Sequence, residues 1–171
     1  FISRVKDNDY KEVEIYINSI KSNSDSIFEI DSIKSSIDNE SALYHAVSRS
    51  NKKLINLLLQ SGADPNQLSN DGNPLLLVAI NSNQSEIVDI LCEHGANVNI
   101  KDKQGNPIVF TAIKNTQLEI VTTLCKHGVD VNSTDIDSNP LLLVAINSNQ
   151  SEIVDILCEH GANVNINNDK G

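Results

Sequence analysis

Residues Asn73 to Ile100 read NPLLLVAINSNQSEIVDILCEHGANVNI, and the same 28 letters recur from Asn139 to Ile166. The two copies are offset by 66 residues, and the segment midway between them, Asn106 to Asn132, reads NPIVFTAIKNTQLEIVTTLCKHGVDVN. A weaker copy lies upstream, so the period is 33 residues. An alanine and a glycine mark every copy: Ala46, Ala79, Ala112, Ala145, Gly62, Gly95, Gly128 and Gly161. A repeat of this length is typical of stacked structural units.

Each unit carries the signals of two short helices. Asn73 and Pro74 predict the start of the first helix, with the asparagine side chain as its cap and the proline at the first helical position. Apolar residues follow at helical spacing, and 81–84 reads as a polar turn. A second helix with an apolar stripe opens at Ser85, and Gly95 supplies the left-handed residue that ends it. Two helices this short cannot bury their apolar faces alone, so the units are expected to stack as a solenoid with an Ile, Leu, Val and Ala core.

The period, the Gly-Ala-Asn-Val-Asn segment after the second helix and the Asp102-x-x-Gly105 start resemble the ankyrin repeat. The resemblance covers about Ser36 to Gly171 and implies an all-α ankyrin solenoid of helix-turn-helix units with hairpin loops. One departure concerns the family's Thr-Pro-Leu-His tetrapeptide, because Pro74, Leu75, Leu76 and Leu77 occupy those slots. We expect apolar contacts to replace the hydrogen bonds that the missing threonine and histidine supply in the family.

The predicted array spans 38–171, behind an irregular N-terminal segment. Its units are 38–68, 69–101, 102–134 and 135–167, and a further repeat starts at 168–171. Residues 1–37 predict a degenerate helical cap or partial repeat, in which 21–37 is either an extended loop or an extra short helix. The chain contains no methionine. We therefore expect it to be a piece of a larger ankyrin-repeat protein.

The composition favours a binding module over an enzyme. A net charge of −10 opposes binding to nucleic acid or anionic lipid. No apolar run approaches the roughly 20 residues that span a bilayer, and no signal-peptide core follows Phe1, so membrane insertion is not expected. The sequence contains no phosphate-binding glycine loop, nucleophile elbow or zinc-protease motif. We accordingly expect no catalysis and no cofactor.

Three cysteines and three histidines follow the repeat period rather than a ligand spacing. Cys92, Cys125 and Cys158 occupy one slot of successive second helices, about 10 Å apart if the helices pack at ordinary distances, which is too far for a disulfide or a shared zinc. We expect all three to be small buried apolar residues rather than metal ligands. His94, His127 and His160 precede the terminating glycines, where a cation suits the helix C-terminus.

The resemblance implies a protein partner in the concave groove formed by the hairpin tips and the inner helices. Its candidate tip residues are Asn70, Asp71, Asn73, Lys103, Gln104, Asn106, Ile136, Asp137 and Asn139. Its candidates at the ends of the inner helices are Arg49, Asn81, Ser82, Lys114, Asn115, Asn147 and Ser148. Many of these are expected to be solvated turn residues. Ile136 is the strongest candidate anchor, because an apolar side chain has no evident structural role at a tip.

The sequence therefore predicts a non-catalytic protein-protein interaction module, monomeric as this fragment. Two alternatives stay open. The chain could be the targeting or regulatory region of a larger enzyme or channel, such as a kinase, a GTPase regulator or a ubiquitin ligase. It could also be a structural spacer, since copying a 66-residue unit builds length without designing a site. An odd number of cysteines argues for a reducing, cytoplasmic or otherwise intracellular location.

Overall fold

The computed structural model describes residues 41–165, which form eight α-helices and no β-strand. The predicted cap at 1–37 and the repeat start at 168–171 lie outside the described residues. The helices are α1 (Ala42–Ser48), α2 (Lys52–Gln60), α3 (Leu75–Asn81), α4 (Ser85–Glu93), α5 (Ile108–Lys114), α6 (Leu118–Lys126), α7 (Leu141–Asn147) and α8 (Ser151–Glu159).

The helices pack in two layers. The odd-numbered helices, of seven residues each, stack on one another to form the inner layer, and the nine-residue even-numbered helices stack beside them as the outer layer. Leucine, isoleucine, valine and alanine dominate the continuous core between the layers, as the composition predicts. Burial against both neighbours is what stabilises such short helices. The predicted all-α solenoid is confirmed.

The start of each inner helix differs from the prediction. Pro74 occupies the N-cap with ψ 143°, the helix begins at Leu75, and no side chain caps it. Pro107 and Pro140 do the same for α5 and α7. The predicted cap from the asparagine side chain was therefore wrong, because that residue belongs to the hairpin before the helix. Asn81 is also the last residue of α3 rather than part of the turn.

The glycine signal at the end of each outer helix is confirmed. Gly95 follows α4 with φ 88°. Its N–H donates to the carbonyl of Cys92, and the N–H of Ala96 donates to that of Leu91. These two bonds are the Schellman arrangement, which needs a left-handed residue that glycine adopts without steric cost.

Hydrogen bonds, as well as the expected apolar contacts, brace neighbouring repeats. Asn99 Nδ2 donates to the carbonyl of Gly128 at 3.2 Å, while its Oδ1 accepts the N–H of Asp130 at 2.7 Å. Equivalent pairs of bonds are made by Asn66 and Asn132. These bonds lie after the outer helices, away from the slots of the family's tetrapeptide, so the replacement of its hydrogen bonds by apolar contacts stays a prediction.

Candidate protein-binding surface

Each hairpin tip is organised by the side chain of its first residue. The carboxylate of Asp102 accepts the backbone N–H groups of Gln104 at 2.9 Å and Asn106 at 2.8 Å. In the next repeat, Asp135 accepts those of Asp137 and Asn139 at 2.9 and 2.8 Å. Such a carboxylate replaces the turn's missing backbone acceptors and holds the tip in one conformation. At these two tips the turn is therefore closed by the aspartate side chain as well as by backbone hydrogen bonds.

The surroundings of Asp135 also shift the pKa of its carboxyl. Partial burial by itself raises the pKa of this carboxyl. That effect is outweighed by hydrogen bonds from the side chain and backbone of Asn139, by the backbone N–H of Asp137 and by the charge of Lys114, so the pKa is lowered. Lys114 Nζ also lies 5.0 Å from the ring centre of Phe110. The charge of Lys114, at the end of one inner helix, therefore acts on the tip of the next repeat.

Consecutive tips contact one another. The N–H of Ile136 donates to Asn106 Oδ1 at 3.2 Å, and a Cβ placed on Gly105 would lie 3.3 Å from Cγ2 of Ile136. Lys103 bears the same relation to Gly72, where the corresponding distance to its Cε is 3.4 Å. Ile136 nevertheless stays 59% exposed. Ile136 therefore presents an exposed apolar side chain from a tip whose backbone is hydrogen-bonded to the preceding tip.

Most of the predicted groove residues are on the surface. Three of them, Asn73, Asn106 and Asn139, are half-buried, and the amide groups of Asn106 and Asn139 hold the aspartates of their own tips. The exposed members are Arg49, Asn70, Asp71, Asn81, Ser82, Lys103, Gln104, Lys114, Asn115, Ile136, Asp137, Asn147 and Ser148.

Leu68 is a surface residue that the sequence argument missed. It lies at the base of the first described hairpin, bridged to Pro74, and is 62% exposed. The sequence contained a signal for this exposure, because the polar residues Lys101 and Thr134 occupy the equivalent positions in the following repeats. Leu68 and Ile136 are the two exposed large apolar residues on the hairpins that the structure describes.

The cysteine prediction holds for two of the three residues. Cys92 and Cys125 are free and buried. Desolvation, aided by the charge of Asp89, raises the pKa of Cys92 to about 12, and desolvation raises that of Cys125 to about 11. Cys158 is free but exposed, which corrects the expectation that it is buried. The reason is that no described repeat packs against α8 from the far side.

Two of the three histidines at the ends of the outer helices contact neighbouring protein groups. His127 Nε2 lies 2.9 Å from Asp89 Oδ1 on the preceding outer helix, and His160 Nδ1 lies 2.9 Å from the carbonyl of Ile156. Within residues 41–165 no three His, Cys, Asp or Glu side chains are grouped closely enough to hold a metal ion. In that same range, no helix has the length and apolar character needed to cross a membrane.

Comparison with known proteins agrees with this geometry. A family model described as ankyrin repeats (3 copies) matches residues 5–102 and 98–168. The chain belongs to the ankyrin-repeat family. Ankyrin repeats are generally protein-protein interaction modules and, as a family, non-catalytic. No curated protein matched the sequence.

A solved structure of an ankyrin repeat domain is similar to this array. The crystal structure of the ankyrin repeat domain of Bcl-3, described as a unique member of the IkappaB protein family, matches with a TM-score of 0.63 and 30% identity. The alignment covers 69% of this chain and 51% of that one, so the chain spans about half of the Bcl-3 domain. It is one of 454 matching chains of solved structures.

Proposed function

We propose that the ankyrin array binds another protein along the surface formed by its hairpin tips and inner helices. The observation that carries the proposal is the placement of Ile136. Its side chain is 59% exposed, while its backbone N–H donates to Asn106 Oδ1 of the preceding tip. An exposed apolar side chain whose backbone is already held by a hydrogen bond can be buried by a partner without the ordering of a loop, which suits an interface anchor.

Polar groups around Ile136 favour a partner with both apolar and charged groups. Asp137 is exposed on the same tip. The exposed Lys114 affects the charge of the Asp135 tip from the inner helix. An apolar centre with a polar rim is the usual layout of a protein interface. We also propose that the module is intracellular, which its free thiols and the family's usual setting support, and that it is monomeric. The same surface would serve a larger enzyme or channel as its targeting region.

A structural spacer is the second candidate, favoured by the identity of 73–100 and 139–166. In a spacer the tips have no ligand to recognise. The tips of these two units differ, however, with Asn70 and Asp71 in one and Ile136 and Asp137 in the other. Any partner that prefers one copy must therefore contact the tips or the unlike neighbouring repeats, because the copied helices offer no contrast.

The test starts from partners captured by the full chain and identified by mass spectrometry. Each partner is then titrated against the wild type, Ile136→Ala and the outer-helix control Glu152→Ala. Truncating a central anchor typically costs about 2 kcal/mol or more, so Ile136→Ala is expected to weaken binding roughly tenfold or more. Glu152→Ala is expected to bind like the wild type. Unchanged binding by Ile136→Ala, Lys114→Ala and Ser148→Ala alike would contradict the groove assignment.

A further inference from the structure

Three consecutive hairpin tips present side chains of alternating chemistry. We call them the first, middle and last tips, spanning residues 68–73, 101–106 and 134–139. The first tip carries Leu68, which is 62% exposed, and the last carries Ile136, which is 59% exposed. In the middle tip the equivalent positions hold Lys101 and Lys103, and both lysines are exposed. The three tips therefore offer an apolar, a cationic and an apolar group in that order.

The two lysines of the middle tip are not neutralised by ion pairs. Lysines on the outer helices do have carboxylate partners, since Lys52 pairs with Glu86 and Lys126 Nζ lies 3.9 Å from Asp89 Oδ1. Within residues 41–165, no ion pair involves either lysine of the middle tip. The nearby carboxylate of Asp102 accepts backbone N–H groups of its own tip instead. Because salt screens charges beyond about 8 Å, these lysines, rather than the net charge of −10, dominate the potential at the middle tip.

Carboxylates on the flanking tips restrict where an anionic group can bind. The first and last tips carry the exposed Asp71 and Asp137, whereas the middle tip has Gln104 in the same position. The charge of Lys114 acts on Asp135 of the last tip, so that cation is already offset. A partner's carboxylate is therefore attracted at the middle tip and repelled at the other two. A row of evenly spaced phosphates, as in a nucleic acid, would meet that repulsion at both ends.

The spacing of the tips sets the spacing required of a partner. The inner helices α3, α5 and α7 pack directly on one another, and helices in contact lie about 8–10 Å apart. The hydrogen bond from the N–H of Ile136 to Asn106 Oδ1 ties the last tip to the middle one. An extended chain advances about 3.3 Å per residue. Three residues of an extended segment therefore cover the interval from one tip to the next.

We propose that the three tips bind an extended segment of a partner protein that has an aspartate or glutamate at its centre and a large apolar residue three positions before and after it. The central carboxylate would lie against Lys101 and Lys103. The apolar residues would contact Leu68 and Ile136. The pattern is symmetric, so the segment can run in either direction. This inference rests on the proposed groove function and adds the chemistry of the partner to it.

The test begins with random displayed peptides long enough to span the three tips, about nine residues at 3.3 Å each. Peptides retained by the full chain are counter-screened against Ile136→Ala, and those that bind the variant less are sequenced. We expect them to be enriched in a carboxylate residue with apolar residues three positions before and after it. Peptides that depend on Ile136 but lack this pattern would overturn the inference and leave the groove assignment standing. If no retained peptide depended on Ile136, both would be contradicted.

An exchange of charges then tests the central contact. One selected peptide is titrated against the wild type, Lys103→Glu and the control Lys53→Glu, which makes the same change in net charge on the exposed side of α2. Lys103→Glu is expected to weaken binding at least about threefold to fivefold, the size of one exposed ion pair, and the control should bind like the wild type. A peptide with lysine in place of its central carboxylate should prefer Lys103→Glu to the wild type. Equal binding by the two variants, or no such reversal of preference, would overturn the proposal.

Discussion

The side chain of Gln117 donates a 2.7 Å hydrogen bond from Nε2 to the main-chain carbonyl of Ile80, 37 residues earlier in the chain. Gln117 is 9% exposed at the start of α6, and Ile80 is fully buried near the end of α3. The bond therefore joins the outer helix of one repeat to the inner helix of the preceding one inside the core. A buried bond of this kind is costly to remove, because the acceptor is left without its partner.

Gln117→Ala is consequently expected to lower the free energy of unfolding by about 1–3 kcal/mol in urea denaturation. The matched control is Gln84→Ala, because Gln84 Nε2 bonds to the exposed hydroxyl of Ser50 at 2.7 Å. Water can replace that partner, so the control should lose less than about 1 kcal/mol. Equal losses for the two variants would show that the buried carbonyl of Ile80 is not what the glutamine stabilises.

Thiol reactivity should separate the three cysteines. The thiolate is the reactive form, and the pKa values of Cys92 and Cys125 are raised to about 12 and about 11. At pH 8 we expect rapid native labelling of Cys158 and slow labelling of the other two, with all three rapid in denaturant. Cys158 is a matched control for Cys92, since the residues around both are identical. Rapid native labelling of Cys125 would contradict the buried assignment.

The Asp135 tip should contribute a pH-dependent part of the stability. The pKa of this carboxyl is lowered below its ordinary value of 3.8 in the folded protein. Its contribution is therefore present at pH values above about 4 and is lost as the pH falls through the folded-state pKa. Asp135→Asn should lower stability at pH 7 and reduce the further loss between pH 5 and 3, measured by thermal denaturation. The exposed Asp71→Asn controls for net charge, and an equal effect from it would refute the local explanation.

Gly105 and Ser138 occupy the same position in two successive tips, three residues after the first. Substituting each of them should change the stability in opposite directions. Gly105 has φ 94° and Ser138 has φ 62° in equivalent tips. Left-handed backbone costs a residue with a Cβ roughly 1–2 kcal/mol, and a Cβ on Gly105 would also press on Ile136 at 3.3 Å. Gly105→Ser should lower unfolding free energy by about 1 kcal/mol or more, while Ser138→Gly should be neutral or slightly stabilising. A destabilising effect of both exchanges would indicate that the serine hydroxyl, not the backbone, matters there.

Removal of one whole unit should be tolerated. Deleting residues 102–134 joins Lys101 to Asp135 in the same register, so repeat four can stack on repeat two. We expect a shorter folded protein with a lower melting temperature, because Glu159 then replaces Lys126 beside Asp89. Deleting 102–118 instead breaks the register and should abolish cooperative unfolding in circular dichroism. Similar behaviour of the two deletions would be incompatible with a solenoid of 33-residue units.

Much of the fold followed from local patterns. The spacing of apolar residues predicted two helices per unit, and the glycine slots predicted where each outer helix ends, as Gly95 shows. These features depend on backbone preferences and on the spacing of apolar residues, both of which can be recognised within a single repeat. The exposure of Ile136 was also predictable, because an isoleucine in a slot that holds Asn70 and Lys103 elsewhere is conspicuous. The hydrogen bond from its N–H to Asn106 was not predictable, since that bond joins two tips 30 residues apart in the sequence.

The sequence by itself therefore determined the repeat, its helices and the positions that face a neighbour. Only the tertiary structure decided which of those positions are covered. The residues that flank Ile80 and Ile146 are identical, yet Ile80 is fully buried and Ile146 is half-exposed. Cys92 and Cys158 differ in the same way. The physical reason is that burial belongs to the contact between two units. A residue's own neighbours in sequence specify the surface that it offers, and only the next repeat in space can remove that surface from water.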